Sequence, residues 1–368
     1  MMRVLVCTVV HHPEDARILH RQIRALLDAG HHVSYAAPFT ACDVQPWPAL
    51  EAIDLPRARG RSRLRALRAA RRALAEHATE SDIVLLHDPE LLLVLPAVGT
   101  TPPVVWDVHE DTAATLAHKP WLPRPLRSLL WPAVRGSERV AERRIHLLLA
   151  EDGYRARFRQ HHPVVPNTTY VPETAPPGGD GDRVVYVGHL SAGRGVADMV
   201  EMARRLAGTG VTMELIGTAD GETRAAVEEA QRDGALRWHG FVPNDDALRL
   251  VDGAIAGLSL LHDLPNYRHS QPTKIIEYMA HGVPVVTTPT PPASALVTPR
   301  DCGFVVPFRD PAAAAEAVLR LRDDPCLRTK MGKAGHQAAR ELFHWPVQAR
   351  EFVTQLERWA GQPAVPRT

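Results

Sequence analysis

Short aliphatic and β-branched runs alternate with segments of helical period along nearly the whole chain, a pattern that predicts parallel sheets with crossover helices. In the first half the apolar run Val4–Val9 predicts a strand. The next segment places Leu19, Ile23, Leu26 and Leu27 on one helix face and ends at Gly30. Further strands are predicted at 32–37, 82–86, 103–108 and 145–150. The stretch 172–182, PETAPPGGDGD, breaks the rhythm with Pro, Gly and Asp and predicts a linker. The alternation then restarts, with strands predicted at 183–187, 211–216, 236–239, 254–261, 283–288 and 303–306 and closing helices at 325–341 and 346–360. Two doubly wound Rossmann-like α/β domains are the architecture this pattern implies.

Length agrees with two domains: 368 residues exceed what one ordinary hydrophobic core organises. A net charge of +1 gives no whole-protein argument for nucleic acid as a partner. Cys7, Cys42, Cys302 and Cys326 are scattered, which fits a reducing compartment better than a disulfide framework or a zinc site. The N-terminal run is only as long as one strand and no small-residue cleavage site follows, so a cytoplasmic location is expected. Arginine outnumbers lysine 39 to four, a bias typical of high-GC bacteria that lowers the weight of arginine clusters.

Against that bias a lysine stands out at position 274, within NYRHSQPTKIIEYMAHGVPVVTT. Ser270 or Gln271 predicts a helix cap, Pro272 a first turn and Gly282 the stop. Lys274 and Glu277 then share one face, either as a surface ion pair or beside a helix N-terminus at Thr273 that suits a diphosphate. Earlier, VVYVGHLSAGRG runs strand, glycine turn, helix, an arrangement that brings backbone close to phosphate through Gly188, with Arg194 alongside. Gly188 and Gly193 have P-loop spacing, but Arg194-Gly195 replaces Lys-Ser/Thr and removes the magnesium-binding hydroxyl, which excludes an NTPase.

These segments resemble the donor-binding half of retaining GT-B glycosyltransferases, family 4-like (glycosyl transferases group 1). Glu277-Tyr278-Met279-Ala280, Gly282 and Pro284-Val285-Val286 match that family's E-Y-M-A-x-G-x-P-V-V pattern. The resemblance implies that Glu277 holds the donor ribose and that Arg194, Lys274, Thr273 and Gly188 hold its diphosphate. The family's first Glu falls at His269, a departure that leaves sugar specificity open, and His189 stands where many members carry Arg. WHGFV resembles the stretch near the nucleotide base, so Trp238 is read first as a core residue and second as a base contact.

In the first half, the loop HHPEDARI after strand one offers His12, Asp15 and Arg17 as acceptor or phosphate contacts. The alternative makes Asp15 a helix cap and leaves Arg17 solvated. Two more strand ends carry polar clusters, His87-Asp88 and Asp107-Val108-His109-Glu110-Asp111. The resemblance implies that His109 faces the reacting sugar, with Glu110 and Asp111 helping to orient or deprotonate the acceptor.

The expected layout is an N-terminal acceptor-side domain at 1–170, a linker at 171–182, a donor-side domain at 183–340 facing it across a cleft, and a returning helix at 341–360. The expected reaction moves a sugar from a UDP-, GDP- or dTDP-linked donor to a small-molecule or lipid-linked acceptor, without metal or other cofactor. Asp180-Gly181-Asp182 lies in the linker and is read as solvated. An epimerase of the same fold and a non-catalytic sugar-nucleotide-binding partner are the alternatives. Residues 57–72, with eight arginines, and 119–131, with Trp121 and Trp131, read either as solvated helices or as a peripheral contact with the inner face of a membrane.

Overall fold

The computed structural model describes residues 1–95, 102–109, 124–177, 182–219, 221–268 and 271–362, without the side chains of 124–131 and 266. The chain divides into two compact units, Met1–Asn167 with Pro346–Thr368, and Thr168–Trp345.

The first unit holds β1 (Arg3–Cys7), β2 (His32–Ala37), β3 (Glu51–Asp54), β4 (Ile83–Leu86), β5 (Val104–Val108) and β6 (His146–Leu149) in one sheet of order β3-β2-β1-β4-β5-β6. The second holds β7 (Arg183–Val187), β8 (Thr212–Ile216), β9 (Leu236–Trp238), β10 (Ala256–Ser259), β11 (Val285–Thr287) and β12 (Gly303–Val305) in the order β12-β11-β10-β7-β8-β9. Counted within each unit this is the same doubly wound order, and every strand pair is parallel. The order reverses between β1 and β4 in one sheet and between β7 and β10 in the other. A doubly wound sheet leaves its crevice at that point, outside the strands' carboxyl ends.

Both sheet faces are covered, so the central strands carry almost unbroken apolar runs. In β7 the side chains alternate between two cores. Val184 and Tyr186 pack with Met199 and Met202, while Val185 packs with Ile275, Tyr278 and Met279. In the first unit Leu5, Val84 and Leu86 pack against Ala66, Ala70 and Leu74 of the helix Arg63–His77.

The strand predictions agree to within a residue or two, with three differences. β1 stops at Cys7, because Thr8–Val10 turn inward to bond Asp88. β3 was absent from the predicted pattern, because an edge strand with only Ile53 partly buried carries no apolar run. The helix Thr273–Ala280 starts after Pro272, which takes the N-cap place, and no side chain caps it.

The unit boundary falls at 167/168, just before the end of the expected first domain at 170. Val171 belongs to the second unit's core. The expected linker begins docked on the helix Pro325–Leu342, where His336 donates to the Pro172 carbonyl (3.0 Å) and Arg340 to that of Glu173 (2.6 Å). From Pro346 onward the last helix, Trp345–Ala360, groups with the first unit, and Trp359 stacks on His146 at 4.7 Å.

Tyr278 ties the site-bearing helix to the sheet. Its buried hydroxyl accepts from the Val187 amide (3.0 Å) and donates to the Leu258 carbonyl (3.1 Å). The ring lies flat on Gly257 of β10, where an added Cβ would fall 2.3 Å from ring carbons. Gly257→Ala is expected to destabilise the second unit by about 2–3 kcal/mol through this overpacking. Tyr278→Phe is expected to cost roughly 1–3 kcal/mol by leaving a buried amide unpaired. Denaturant unfolding of both variants checks this.

Candidate functional site

At the carboxyl end of β7 the backbone turns at Gly188, with φ +133°, a conformation that L side chains rarely adopt. An added Cβ there would meet Arg194 Nη1, Lys274 Cε and the Tyr186 hydroxyl, each at 3.6 Å. These three side chains therefore converge on the face where Gly188 leaves the backbone bare. The neighbouring turn is as tight: a Cβ on Gly217 would fall 2.1 Å from the Gly188 carbonyl oxygen. Trp238 braces it, its indole N–H donating to the Gly217 carbonyl at 2.8 Å.

Lys274 reaches this point from the first turn of its helix, with Nζ 5.1 Å from the Tyr186 ring centre. Burial first, then the charge of Arg194, push its ammonium down from 10.5 to about 7, while Glu277 one turn further on works in the opposite direction. Arg194 donates to the His189 carbonyl (3.2 Å), and the Tyr186 hydroxyl donates to the same oxygen (2.9 Å). Two cations are thus held near each other at the switch point, and a multivalent anion would relieve their repulsion.

The helix N-terminus itself contributes less than expected. The amide of Thr273 already donates to Gln271, and those of Ile275 and Ile276 donate to Pro272. The cationic groups at this turn are therefore the side chains of Lys274 and Arg194. Trp238 packs against the core with Arg224 5.5 Å over its ring, so the structure gives it the bracing role and not that of an open base platform. His189 lies at the same turn, its Nδ1 3.0 Å from the Thr218 hydroxyl. His269 lies outside the described residues.

The first unit's switch point is organised around two buried carboxylates. Asp88, fully buried, accepts from the Thr8 hydroxyl (3.1 Å) and from the amides of Val9 and Val10, closing the turn after β1. Asp107 is also fully buried and accepts Arg17 Nε and Nη2 in a bidentate pair, 2.7 Å each, plus Gln22 Nε2 at 3.1 Å. The Arg17 guanidinium holds the Asp107 carboxyl well below the usual range, although burial alone would raise it.

This overturns both sequence readings of Arg17. It is 5% exposed and its remaining donors go to Asn167 Oδ1 and the Val165 carbonyl, so it is neither solvated nor turned to an acceptor. Asp88 is likewise a brace, and His87 is buried with Nδ1 3.3 Å from the Asp107 carboxylate, so neither is an open contact, each being no more than 1% exposed. Asp15 accepts from the Arg17 and Ile18 amides (2.9 and 3.1 Å), in keeping with the capping reading. His12 accepts from the Glu14 amide at 3.2 Å, and burial lowers its pKa.

His109 adjoins this group, its side chain 10% exposed. Its Nδ1 is 3.0 Å from the Asp107 carbonyl and 3.4 Å from its carboxylate, while Nε2 lies 3.1 Å from His11 Nε2. Burial works to lower the His109 pKa, but the bond to Asp107 and its charge outweigh burial and raise it. Glu110 and Asp111 lie outside the described residues. Sequence reasoning missed Asp107 and His11 as site residues. The signal was Asp-x-His at a strand end, which by its period of two puts Asp107 and His109 on one side of β5. His87, Asp107 and His109 bring metal-ligand types of atom within 4.8 Å of one another, but Arg17 already balances the only carboxylate of the three.

Comparison with known proteins shows what the chain is similar to in sequence and fold. Residues 181–324 match the model of the family described as glycosyl transferases group 1. The chain is 30% identical over 151 residues to the alpha-D-kanosaminyltransferase of Streptomyces kanamyceticus, covering 41% of this chain and 39% of that protein. It is 35% identical over 86 residues to a D-inositol 3-phosphate glycosyltransferase of Streptomyces avermitilis, covering 23% of this chain and 18% of that one. The matched regions span less than half the length of these curated relatives. Among solved structures, sucrose-phosphate synthase from Thermosynechococcus elongatus superposes with TM-score 0.75 at 19% identity, covering 97% of this chain and 98% of that one. HepE from Anabaena, in complex with UDP and glucose, gives TM-score 0.69 at 14% identity, covering 97% and 100%. The fold is that of GT-B glycosyltransferases.

Asp107→Asn is expected to destabilise the first unit by about 3–5 kcal/mol, because it leaves the buried Arg17 charge without its partner. The double variant Arg17→Leu with Asp107→Leu is expected to lose less than Asp107→Asn alone. Chemical denaturation of the three variants checks the coupling.

Proposed function

We propose that the chain is a glycosyltransferase that takes a nucleoside diphosphate sugar as donor and transfers the sugar with retention of configuration, without a metal. The observation that carries this reading is the convergence of Lys274 and Arg194 on the bare face of Gly188, with Glu277 on the same helix. A diphosphate has the charge and span for two such cations, and a carboxylate one helical turn away suits ribose hydroxyls. As the glycosidic bond to the diphosphate breaks, negative charge builds on the leaving group, and two fixed cations stabilise it in the role often given to a metal.

Three comparisons support the reading. The family match covers the unit that carries the cation pair. Curated relatives of that region are named as glycosyltransferases. HepE, of similar fold, holds UDP or UDP-glucose in its solved complexes, which makes uracil the first base to test. Retention rests on the resemblance of Glu277–Val286 to the retaining family's motif. On this reading the acceptor side belongs to the first unit, where His109 adjoins the buried network and His12 stands on the loop after β1. The acceptor is a small molecule or a lipid-linked sugar, and the protein works in the bacterial cytoplasm.

Thermal-shift measurements with UDP, GDP and dTDP test the donor site. A nucleotide at 100 times its dissociation constant is expected to add about 2.7 kcal/mol of stability. Lys274→Met and Glu277→Ala are expected to abolish or strongly reduce the gain. The sign with pH follows from Lys274: below about 7 it is charged before the ligand arrives, and above that it must first take up a proton. The stabilisation is therefore expected to shrink between pH 7 and pH 9, by up to tenfold in affinity per unit. No stabilisation by any of the three nucleotides contradicts the donor assignment. Sugar-nucleotide turnover to a new sugar without any acceptor would instead favour an epimerase.

A further inference from the structure

The turn that carries Arg194 has little of its own to hold it still. Ala192–Arg194 forms one 3-10 turn, followed by Gly195 with φ +75° and the helix Val196–Leu206. None of the turn's three side chains is buried, and Gly193 and Gly195 widen the range of conformations its backbone can adopt. Its place has to be set from outside, and the segment after β10 does so.

That segment lies flat on the turn. A Cβ on Gly195 would fall 2.1 Å from the Leu260 carbonyl oxygen, and one on Gly193 would fall 2.9 Å from Leu264 Cδ1. The His262 amide donates to the Gly193 carbonyl at 3.0 Å. The segment is itself anchored. The Thr288 hydroxyl donates to the Leu261 carbonyl (2.6 Å), and Arg268 Nε and Nη2 each donate to Asp263 at 2.9 Å.

One side chain closes the arrangement. His262 Nε2 lies 2.8 Å from Asp198 Oδ2, in the first turn of the helix that follows Arg194. The two side chains are 15% and 17% exposed, so solvent screens this pair less than it screens an open surface pair. His262 thus grips the chain on both sides of Arg194, at Gly193 through its backbone and at Asp198 through its side chain. Arg194 stands between, with Nη1 3.6 Å from where a Cβ on Gly188 would sit. A guanidinium binds phosphate through a rigid fork of donors, so a shift of its backbone is felt at the ligand.

We propose that His262 is a positioning residue for Arg194, acting through its bond to Asp198. The inference rests on the diphosphate reading above and assigns to it a residue outside the cation pair.

Calorimetric titration of the full chain with UDP, GDP and dTDP tests it, using the nucleotide that binds wild type most tightly. His262→Ala is expected to weaken that nucleotide roughly tenfold, the scale of one hydrogen bond to a charged group. Asp198→Ala removes the same bond from the helix side and is expected to give the same loss. His262→Gln, whose amide N–H can replace Nε2–H as the donor, is expected to recover most of the affinity. A double-mutant cycle with Arg194→Met separates positioning from a general structural role. In that background His262→Ala is expected to cost no more than about twofold, because the residue it positions is gone. Thermal melting without nucleotide confirms that each variant is folded. Unchanged affinity in His262→Ala, or an equal loss with and without Arg194, would overturn the proposal while leaving the donor site in place. Failure of all three nucleotides to bind wild type would instead overturn the diphosphate reading, and the proposal with it.

Discussion

Both sheets of this protein have a place where neighbouring strands send their chains to opposite faces, and the gap left at their carboxyl ends has to be closed by something other than a strand. The first unit closes it with side-chain charge. Asp88 gathers the Thr8 hydroxyl and two amides, and Asp107 draws in Arg17 and Gln22. The second unit closes it with backbone. Gly217 packs on the Gly188 carbonyl with no room for a side chain, Gly188 itself has a φ of +133° that L side chains rarely adopt, and Trp238 braces the turn. The contrast decides what each gap can do, because a gap filled by balanced charge is already satisfied, whereas a bare backbone face leaves room for a ligand.

Electrostatics follow from that difference. In the first unit the buried carboxylate Asp107 is matched by a guanidinium, and beside it lies an imidazole, His109, whose protonated form Asp107 favours. In the second unit Lys274 is desolvated beside Arg194, and its ammonium is weakened until it titrates near neutrality. A structural cation in a stable core is normally paired, since an unpaired one destabilises the fold. On the proposed reading, an anion completes the group that holds Lys274 next to Arg194. Tyr278, four residues along the same helix, keeps the lysine in place by bonding β7 and β10 at once.

Much of this was legible in the sequence, and the rest was hidden for definite reasons. Buried parallel strands read as apolar runs, so eleven of the twelve strands among the described residues could be placed, while β3 on the sheet edge had no such signature. Lys274, Arg194 and Gly188 were legible because local spacing fixes them on a strand, a turn and a helix start. Arg17 was misread because its partner is 90 residues away, and no local pattern distinguishes an arginine bound to Asp107 from one facing solvent. The same distance hid His11 beside His109, 98 residues apart. The expected linker rested on Pro and Gly content, which marks a chain that leaves regular structure, not one that leaves its core. Val171 and Pro172 are docked even though the sequence around them looks like a linker.

The central claim is that Lys274 and Arg194 form a site for the diphosphate of a nucleotide, and calorimetry tests it most directly. UDP, GDP and dTDP are titrated into the protein at pH 8 in buffers of different ionisation enthalpy, which reports the protons taken up on binding. At that pH Lys274 is mostly neutral, given its value of about 7. The account predicts that the nucleotide that binds draws in close to one proton, and that Lys274→Met loses both the uptake and most of the affinity. Binding without proton uptake, or an unchanged affinity in Lys274→Met, would contradict it.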